Sequence, residues 1–489
     1  MADTLVMRFS DYEANTISEH QQVIAAAGSV WWGWWAKSFE PKRMDILQQV
    51  AARCPLDVGL LERGARRYYK ASCVEIACSP DGRRVPSPDP GITPLYYRES
   101  RHPAWLKITR IESALWSTFA YSFGGIPSGD ATLFGVQRTS TDRARLEQAT
   151  RVAEEEINTP GDSILHLSDI HFGDDHAFPV ATQDQPTRQP SLARILAERI
   201  AASGAFRIGV VVLSGDFITR GDANGYNGVH AFLRELLPAL GLDKEHVVMA
   251  PGNHDLPLRD PASPTRDYSH EEHFRMFLRA FYGADIQEIE RLCSYNTRSG
   301  WHLNFVVMNS ARPRDRATMD YGYVGQDRYL PYLQRLARLN GGTTVAEAFR
   351  ARVVNLAVLH HHLLPATLVT RPEVQRPVSL TLDAGQLVAD LCEAKVAVAL
   401  HGHQHVPFLG STARARKTGD TWHGHTAPLY VVGAGSAGAK SERLSDEMRY
   451  NSYGVYTPTD EGVRIYMEEY SPARNPREYM DASIRLVDH

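Results

Sequence analysis

The sequence predicts a layered α/β protein preceded by a smaller, separate α+β module. Three observations carry that prediction. Seven short apolar runs, "SILHLSD", "IGVVVLSGD", "HVVMAPGNHD", "HLNFVVMNS", "VVNLAVLHHH", "VAVALHGHQH" and "LYVVGAG", recur through the C-terminal two thirds, with the Val- and Leu-rich character of strands buried on both faces. Between them lie segments such as "SLARILAERIAAS" and "VHAFLRELLPAL", whose apolar residues recur at three and four positions, the pattern of amphipathic helices. The chain changes character at "RVAEEEINTPGDS", where a charged helical stretch stops at Asn-Thr-Pro-Gly and an apolar strand begins. A boundary within Glu154 to Gly161 follows, giving a module over residues 1–155 and an α/β domain over 156–489.

In the first module "ISEHQQVIAAAG" reads as a helix closed by Gly28. "SVWWGWWAKSF" follows and holds half of the eight tryptophans of the chain. "KASCVEIACS", "TPLYYRES" and "AWLKITRIES" read as strands, with "SPDGRRVPSPDPG" a Pro-rich loop between two of them. Trp31, Trp32, Trp34 and Trp35 have two readings: an aromatic platform that stacks on flat ligands, or core packing by alternate residues of a strand. Large aromatics are mostly buried structure, which favours the core. The module's role is read only as suspected substrate or partner recognition.

Composition limits the partners. The 489 residues are 43% apolar, enough for at least one large core. Lys plus Arg (53) nearly balances Asp plus Glu (57), which argues against a surface that binds nucleic acid mainly through phosphate contacts, while leaving room for a local basic groove. The five cysteines are scattered, with no C-x-x-C pair, so neither a disulfide framework nor a thiolate zinc site is indicated. The start "MADTLVMRFSDYEAN" lacks the basic flank and apolar stretch of a signal peptide, and no apolar run reaches roughly 18 residues. The expectation is a cytoplasmic protein without a membrane partner.

Polar residues cluster where the strands stop. "SILHLSD" runs into Asp169 and His171, "IGVVVLSGD" into Gly215 and Asp216, "HVVMAPGNHD" into Asn253 and His254, "VVNLAVL" into His360, and "VAVAL" into His403 and His405. The carboxyl ends of strands line the ligand crevice of open α/β sheets, so residues far apart in sequence converge there. The inventory is oxygen and imidazole without thiolate, which suits manganese, iron or zinc. The count is too large for one ion. With one carboxylate bridging, the donors fit two cations about 3.5–4 Å apart, as used for in-line displacement at phosphorus. Glycines before Asp216, Asn253 and His403 are expected to let the backbone turn sharply as it leaves the strand. "GAGSAG", Gly433 to Gly438, matches G-x-G-x-x-G but lacks the following helix and acidic strand end of a dinucleotide site. No G-x-S-x-G elbow supports a serine hydrolase.

Taken together and in this order, D-x-H (Asp169, His171), G-D (Gly215, Asp216), G-N-H-D (Gly252 to Asp255), His360 and G-H-x-H (Gly402 to His405) resemble the calcineurin-like metallophosphoesterase family over roughly residues 161–470. The resemblance implies an αββα sandwich. It also implies that Asp169, His171, Asp216 and His405 hold one divalent ion and that Asp216, Asn253, His360 and His403 hold a second. Asp216 would bridge, His254 would stand beside the leaving group to donate a proton or stabilise charge, and a hydroxide shared by the two ions would attack phosphorus in line. His361 and His362 line the pocket in this reading, and His401 is structural.

Substrate choice is less marked. "GDFITRG" resembles the G-D-x-x-D-R-G of the family's protein phosphatases, yet Thr219 stands where they have Asp, and Asp255 where they have Glu. "SGDFITRGDANGYNGVHAFLRELLPALGL" before "VVMAPGNHD", and "AVLHHHLLPAT", look closer to the bacterial cyclic-nucleotide phosphodiesterase branch. A phosphodiester such as a nucleotide is the expected substrate, with Arg220 and His361 as candidate contacts to it. The alternatives are a nuclease of the same fold acting on DNA or RNA, a phosphomonoesterase or protein phosphatase, and a scaffold with a decayed site.

Overall fold

The computed structural model describes residues 3–486, apart from 124–130, 137–156, 180–189, 259–268, 313–320, 366–379 and stretches of one to four residues elsewhere. The charged stretch at 151–156 lies outside the described residues. The chain divides into two compact units, Met1–Glu147 and Gln148–His489.

In the first unit β1 (Thr4–Phe9), α1 (Thr16–Ala27), β2 (Val30–Gly33), α2 (Met44–Ala51), β3 (Leu56–Glu62), β4 (Tyr68–Cys78), β5 (Ala104–Ala114) and β6 (Leu133–Val136) follow one another. The strands form one sheet in the order β2-β5-β4-β3-β1-β6, antiparallel except where β1 runs parallel to β3. Trp32 and Trp34 pack with Val30, Leu60 and Leu106 in its core, and Trp31 packs with Tyr97 and Trp105 in a second cluster. Of the four clustered tryptophans only Trp35 is exposed, at 58%. "TPLYYRES" is not a strand: two 3₁₀ turns, Pro90–Ile92 and Leu95–Tyr97, occupy that region. Pro90 and Pro94 remove ladder donors there, and the Asp89 side chain caps the first turn by accepting the Gly91 N–H at 2.8 Å.

The second unit begins with β7 (Ile157–Asn158), β8 (Ser163–Leu167), α3 (Leu192–Ser203), β9 (Ile208–Leu213), α4 (Gly225–Leu240), β10 (Val247–Met249), α5 (Glu272–Tyr282), β11 (Arg291–Asn296) and β12 (His302–Val307). It continues with α6 (Gln326–Leu339), α7 (Val345–Arg350), β13 (Val353–Val358), α8 (Ala384–Glu393), β14 (Val398–His401), β15 (Pro407–Thr412), β16 (Arg416–Thr418), β17 (Thr421–His423), β18 (Leu429–Ala434), β19 (Asn451–Pro458), β20 (Gly462–Ser471) and β21 (Arg474–Arg485). Two sheets result, β10-β9-β8-β19-β20-β21 and β15-β18-β14-β13-β12-β11-β7, with β16 and β17 pairing apart from them.

Alternation along the strands decides which layer each side chain enters. Val210 and Val212 of β9 point between the sheets and meet a cluster containing Phe305, Val307, Leu356, Val358, Val398 and Leu400. Val211 and Leu213, one residue out of phase, pack with Ile195 and Leu196 of α3 and Phe232 and Leu233 of α4. Against the other sheet lie α6 on β11 and β12, α7 on β13, and α8 on β18. The order helix, sheet, sheet, helix is the αββα sandwich. Each fully buried Val or Leu contributes about 1.5–3 kcal/mol, so the apolar runs and not the polar strand ends hold this frame together. No helix among the described residues is long and apolar enough to cross a membrane.

Candidate metal centre

Strand register brings the polar residues to one edge. Leu167, Leu213 and Met249 are Cα partners across β8, β9 and β10, and Val307, Val358 and Leu400 across β12, β13 and β14. Each strand therefore stops level with its neighbours, and the residues after the stop share one rim. Asp169 and His171 follow β8, Asp216 follows β9, Asn253 and His254 follow β10, His360 follows β13, and His403 and His405 follow β14.

The backbone works hard to aim these side chains. Asp169, His171, Asp216, His403 and His405 all take positive φ, between 53° and 78°, although none is glycine. A non-glycine residue held there costs about 1–3 kcal/mol, and such strain persists only where the surroundings impose it. Of the preceding glycines only Gly215 takes the expected positive φ, 102°. Gly252 is extended, at φ −101°. Its requirement is space: a Cβ there would collide with Asp216, and one on Gly402 with Ser168 and Asp169.

Two donor groups result. Asp169, His171 and His405 form one and Asp216, His360 and His403 the other, each with ligand atoms within 4.8 Å of one another and each able to hold a metal ion. In the first, His405 Nε2 lies 3.2 Å from Asp169 Oδ1 and 3.1 Å from His171 Nε2. In the second, His360 Nε2 lies 3.3 Å from Asp216 Oδ2, 3.2 Å from Asn253 Oδ1 and 3.2 Å from His403 Nδ1. Asp216 Oδ2 is also 3.8 Å from His171 Nε2, so one carboxylate stands between the groups.

Backbone carbonyls orient two of the rings. His360 Nδ1–H donates to the Ser214 carbonyl at 2.8 Å, and His405 Nδ1–H to the Arg443 carbonyl at 2.7 Å. Both Nε2 atoms then face the carboxylates, and the neutral form of each ring would present there the lone pair a metal-binding imidazole needs. Lone pairs of nitrogen and oxygen facing each other at about 3 Å repel unless a cation or a proton sits between them. The donor set therefore fits a pair of divalent cations, through nitrogen and oxygen alone.

The electrostatics agree. Burial alone would lower the His360 ring, but Asp216 and Asp169 outweigh it and raise its pKa to about 9; Asp169 likewise raises His405 against burial. Burial pushes His171 and His403 down to about 3. Burial also acts to raise Asp169 and Asp216, yet the surrounding imidazoles hold both carboxyls below the usual range. Two carboxylates kept ionised in a buried site attract positive charge, whether from a proton or from a metal ion.

His254 joins the rim: its N–H donates to Asp216 Oδ1 at 2.7 Å, and its ring centre is 5.0 Å from that of His171. Arg220 is exposed beside it, its N–H directed at His254 Nδ1. His361 is buried, with Nδ1 2.9 Å from Ser310 Oγ and its ring 4.5 Å from His403. His401 is buried away from the donor groups against His362 and Phe408.

Three supports escaped sequence reasoning. Ser310, at the end of "FVVMNS", accepts the N–H of both His360 and His361 on Oγ. Asp255 accepts the N–H of Phe217, Ile218 and Gly252 and so ties the β9 loop to the β10 loop. Ser436, inside "GAGSAG", donates to the Asp169 carbonyl at 2.8 Å, making that glycine-rich turn a brace for the first donor group. The signals available were the place of Ser310 at a strand end and that of Asp255 as the last residue of G-N-H-D; neither disclosed the hydrogen bonds.

A two-layered sheet sandwich with paired Asp/His groups at its strand ends defines a dimetal phosphoesterase fold. Residues 163–407 match the calcineurin-like phosphoesterase family, and the chain belongs to that family. Residues 5–142 match the Pua-like family. No curated protein matches the sequence. Solved structures similar to this chain include a dimetal phosphatase from Danio rerio, 13% identical, covering 66% of this chain and 99% of that one at a TM-score of 0.39. A purple acid phosphatase from yellow lupin seeds is 11% identical, covering 82% and 65% at 0.41, and Vps29 from Chaetomium thermophilum 11% identical, covering 66% and 97% at 0.27.

Proposed function

We propose that this chain hydrolyses a phosphodiester of the nucleotide or cyclic-nucleotide class, with two divalent cations held at the sheet rim. Asp169, His171, Asp216 and His405 hold the first, and Asp216, Asn253, His360 and His403 the second. One observation carries the reading: Asp216 Oδ2 reaches toward His360 Nε2 at 3.3 Å and His171 Nε2 at 3.8 Å, the position of a carboxylate shared between two sites. When bound, such a cation pair supplies a nucleophile from water near neutral pH and neutralises charge on the phosphoryl oxygens. The chain's own residues do the rest. Asp216 fixes the spacing of the two sites, His254 stands beside the leaving oxygen, and the exposed Arg220 guanidinium reaches a non-bridging phosphoryl oxygen. His361, behind His403, shapes the pocket wall.

Preference for a diester is supported by the sequence around "GDFITRG" and "LHHHLLP", where Thr219 replaces the acid of the protein phosphatases. The N-terminal unit is assigned to substrate or partner recognition, on the strength of its surface residues Trp35, Leu95 and Tyr96. The test is hydrolysis of bis(p-nitrophenyl) phosphate with Mn²⁺ beside a panel of cyclic nucleotides, phosphomonoesters and single-stranded DNA and RNA. Steady turnover that a chelator abolishes, and that Asp216→Ala lowers on the order of a thousandfold, supports the reading. Faster turnover of monoesters than of any diester would overturn the substrate class. No turnover of any ester by metal-loaded protein would overturn the enzyme.

A further inference from the structure

The main chain of Arg220 decides what His254 can do. Arg220 takes φ 53°, a left-handed conformation rare for arginine, and this directs its N–H at His254 Nδ1, 3.2 Å away. Further bonds hold the loop. Gly221 N–H donates to the His254 carbonyl at 2.7 Å, Thr219 N–H to the Phe172 carbonyl at 3.0 Å, and Asp222 N–H to the Thr219 carbonyl at 3.1 Å. The Thr219 hydroxyl donates to the His171 carbonyl at 3.0 Å.

A backbone N–H only donates, so its partner nitrogen has to carry a lone pair. His254 Nδ1 is therefore the acceptor, and the ring proton sits on Nε2. We infer that Arg220 is a positioning residue whose main-chain N–H locks His254 as an Nε2–H hydrogen-bond donor, and that His254 stabilises charge on the oxygens at phosphorus without transferring a proton. The inference rests on the phosphoesterase reading and chooses between the two roles the family resemblance leaves to this histidine. A neutral imidazole that surrendered its Nε2 proton would become an imidazolate, whereas one that keeps it still donates a hydrogen bond. Bond changes then balance without it: the new P–O bond forms from water, which releases one proton to solvent, the ester P–O bond breaks, and the departing oxygen takes a proton from solvent. Reaction rate should follow the leaving group's own basicity, aryl esters far ahead of alkyl ones.

The tautomer is measured by ¹⁵N-histidine NMR on the full-length, metal-free protein near neutral pH, with the His254 signals assigned by their loss in His254→Gln. The expected pattern is an unprotonated Nδ1 and a protonated Nε2, kept in Arg220→Gly, which retains the N–H and accepts the positive φ. A protonated Nδ1 would overturn the proposal, and this outcome is read without any hydrolysis, so it stands apart from failure of the enzyme reading. In turnover, His254→Ala should slow p-nitrophenyl and methyl esters of one phosphodiester series by the same factor, about a hundredfold, and His254→Gln, which restores an N–H donor, should recover most of that loss. A loss in His254→Ala concentrated on the methyl ester would show proton transfer to the leaving group and sink the inference.

Discussion

Gly402 sits against Ser168 so closely that a Cβ built on it would overlap the Ser168 hydroxyl and the Asp169 carboxylate and stand 2.7 Å from Ser168 Cβ. The approach has a cause. His403 N–H donates to Asp169 Oδ2 at 2.9 Å, so the backbone of the loop after β14 rests on the Asp169 side chain. Gly402→Ala has to push the two loops apart. Overpacking of this kind costs about 1–3 kcal/mol, and here it also separates Asp169 from His405. The expected outcome is a lower Tm together with loss of one bound Mn²⁺ per chain, read by calorimetry and by metal analysis of the same preparation. A variant with unchanged metal content would show that the loops yield elsewhere.

Asp255 makes a second mechanical prediction. Its Oδ1 accepts from Phe217 N at 2.7 Å and Ile218 N at 3.1 Å, and its Oδ2 from Gly252 N at 2.7 Å, all buried. Asp255→Asn keeps the shape but turns one acceptor into a donor, leaving at least one buried N–H facing another. An unpaired buried donor costs about 1–3 kcal/mol. Because the three N–H groups belong to the segments that carry Asp216 and Asn253, Mn²⁺ affinity should fall by roughly 10–100-fold, the usual effect of removing an outer support of a metal site. Isothermal titration with Mn²⁺ tests this.

The distribution of these supports explains what the sequence disclosed. The apolar runs name strands because a strand buried on both faces has no polar alternative, and the two sheets follow them. Asp169, His171, Asp216, Asn253, His360, His403 and His405 are legible because each directly follows such a run and their side-chain types match one chemistry. Ser310, Asp255 and Ser436 act through main-chain hydrogen bonds, and nothing in a one-dimensional pattern distinguishes a serine that caps two histidine amides from one in a turn. The positive φ of five ligand candidates is equally silent, since the strain is imposed by neighbours distant in sequence. "TPLYYRES" misleads for the opposite reason: its aromatic content suits a strand, but Pro90 and Pro94 and the Asp89 cap fix turns instead.

In the N-terminal unit His20 gives a pH prediction. Its ring is buried 4.1 Å from that of Trp32, with Nδ1 2.7 Å from the Thr16 carbonyl. Burial lowers its pKa from 6.5 to about 4, against smaller upward pulls from Thr16 and Asp11. A histidine depressed in the folded state leaves the unfolded state holding more protons between those values. Its share of stability is present above pH 6.5 and is lost as pH falls toward 4, at most about 1.4 kcal/mol per unit. Denaturant titrations followed by tryptophan fluorescence at pH 7, 5.5 and 4.5 should show that slope in the parent protein and a flatter one in His20→Gln. Equal slopes would assign the acid sensitivity to other groups.

Trp34 and Trp35, adjacent in sequence, should part company on substitution. Trp34 is 1% exposed, packs in the module core and donates its Nε1–H to Thr132 Oγ1 at 2.9 Å. Trp34→Ala removes a large buried ring, a loss of about 3–5 kcal/mol. Trp35 is 58% exposed, and among the described residues its ring meets those of His102 and Tyr97, at centroid distances of 4.8 and 6.3 Å. Trp35→Ala should change stability by no more than about 0.5 kcal/mol. The pair thus separates structure from recognition: if the N-terminal unit selects substrate, Trp35→Ala raises KM for the preferred ester while leaving the unfolding midpoint and the turnover of bis(p-nitrophenyl) phosphate where they were. A shift of the midpoint by several degrees in Trp35→Ala would return that ring to the core, and an unchanged KM would remove it from substrate recognition.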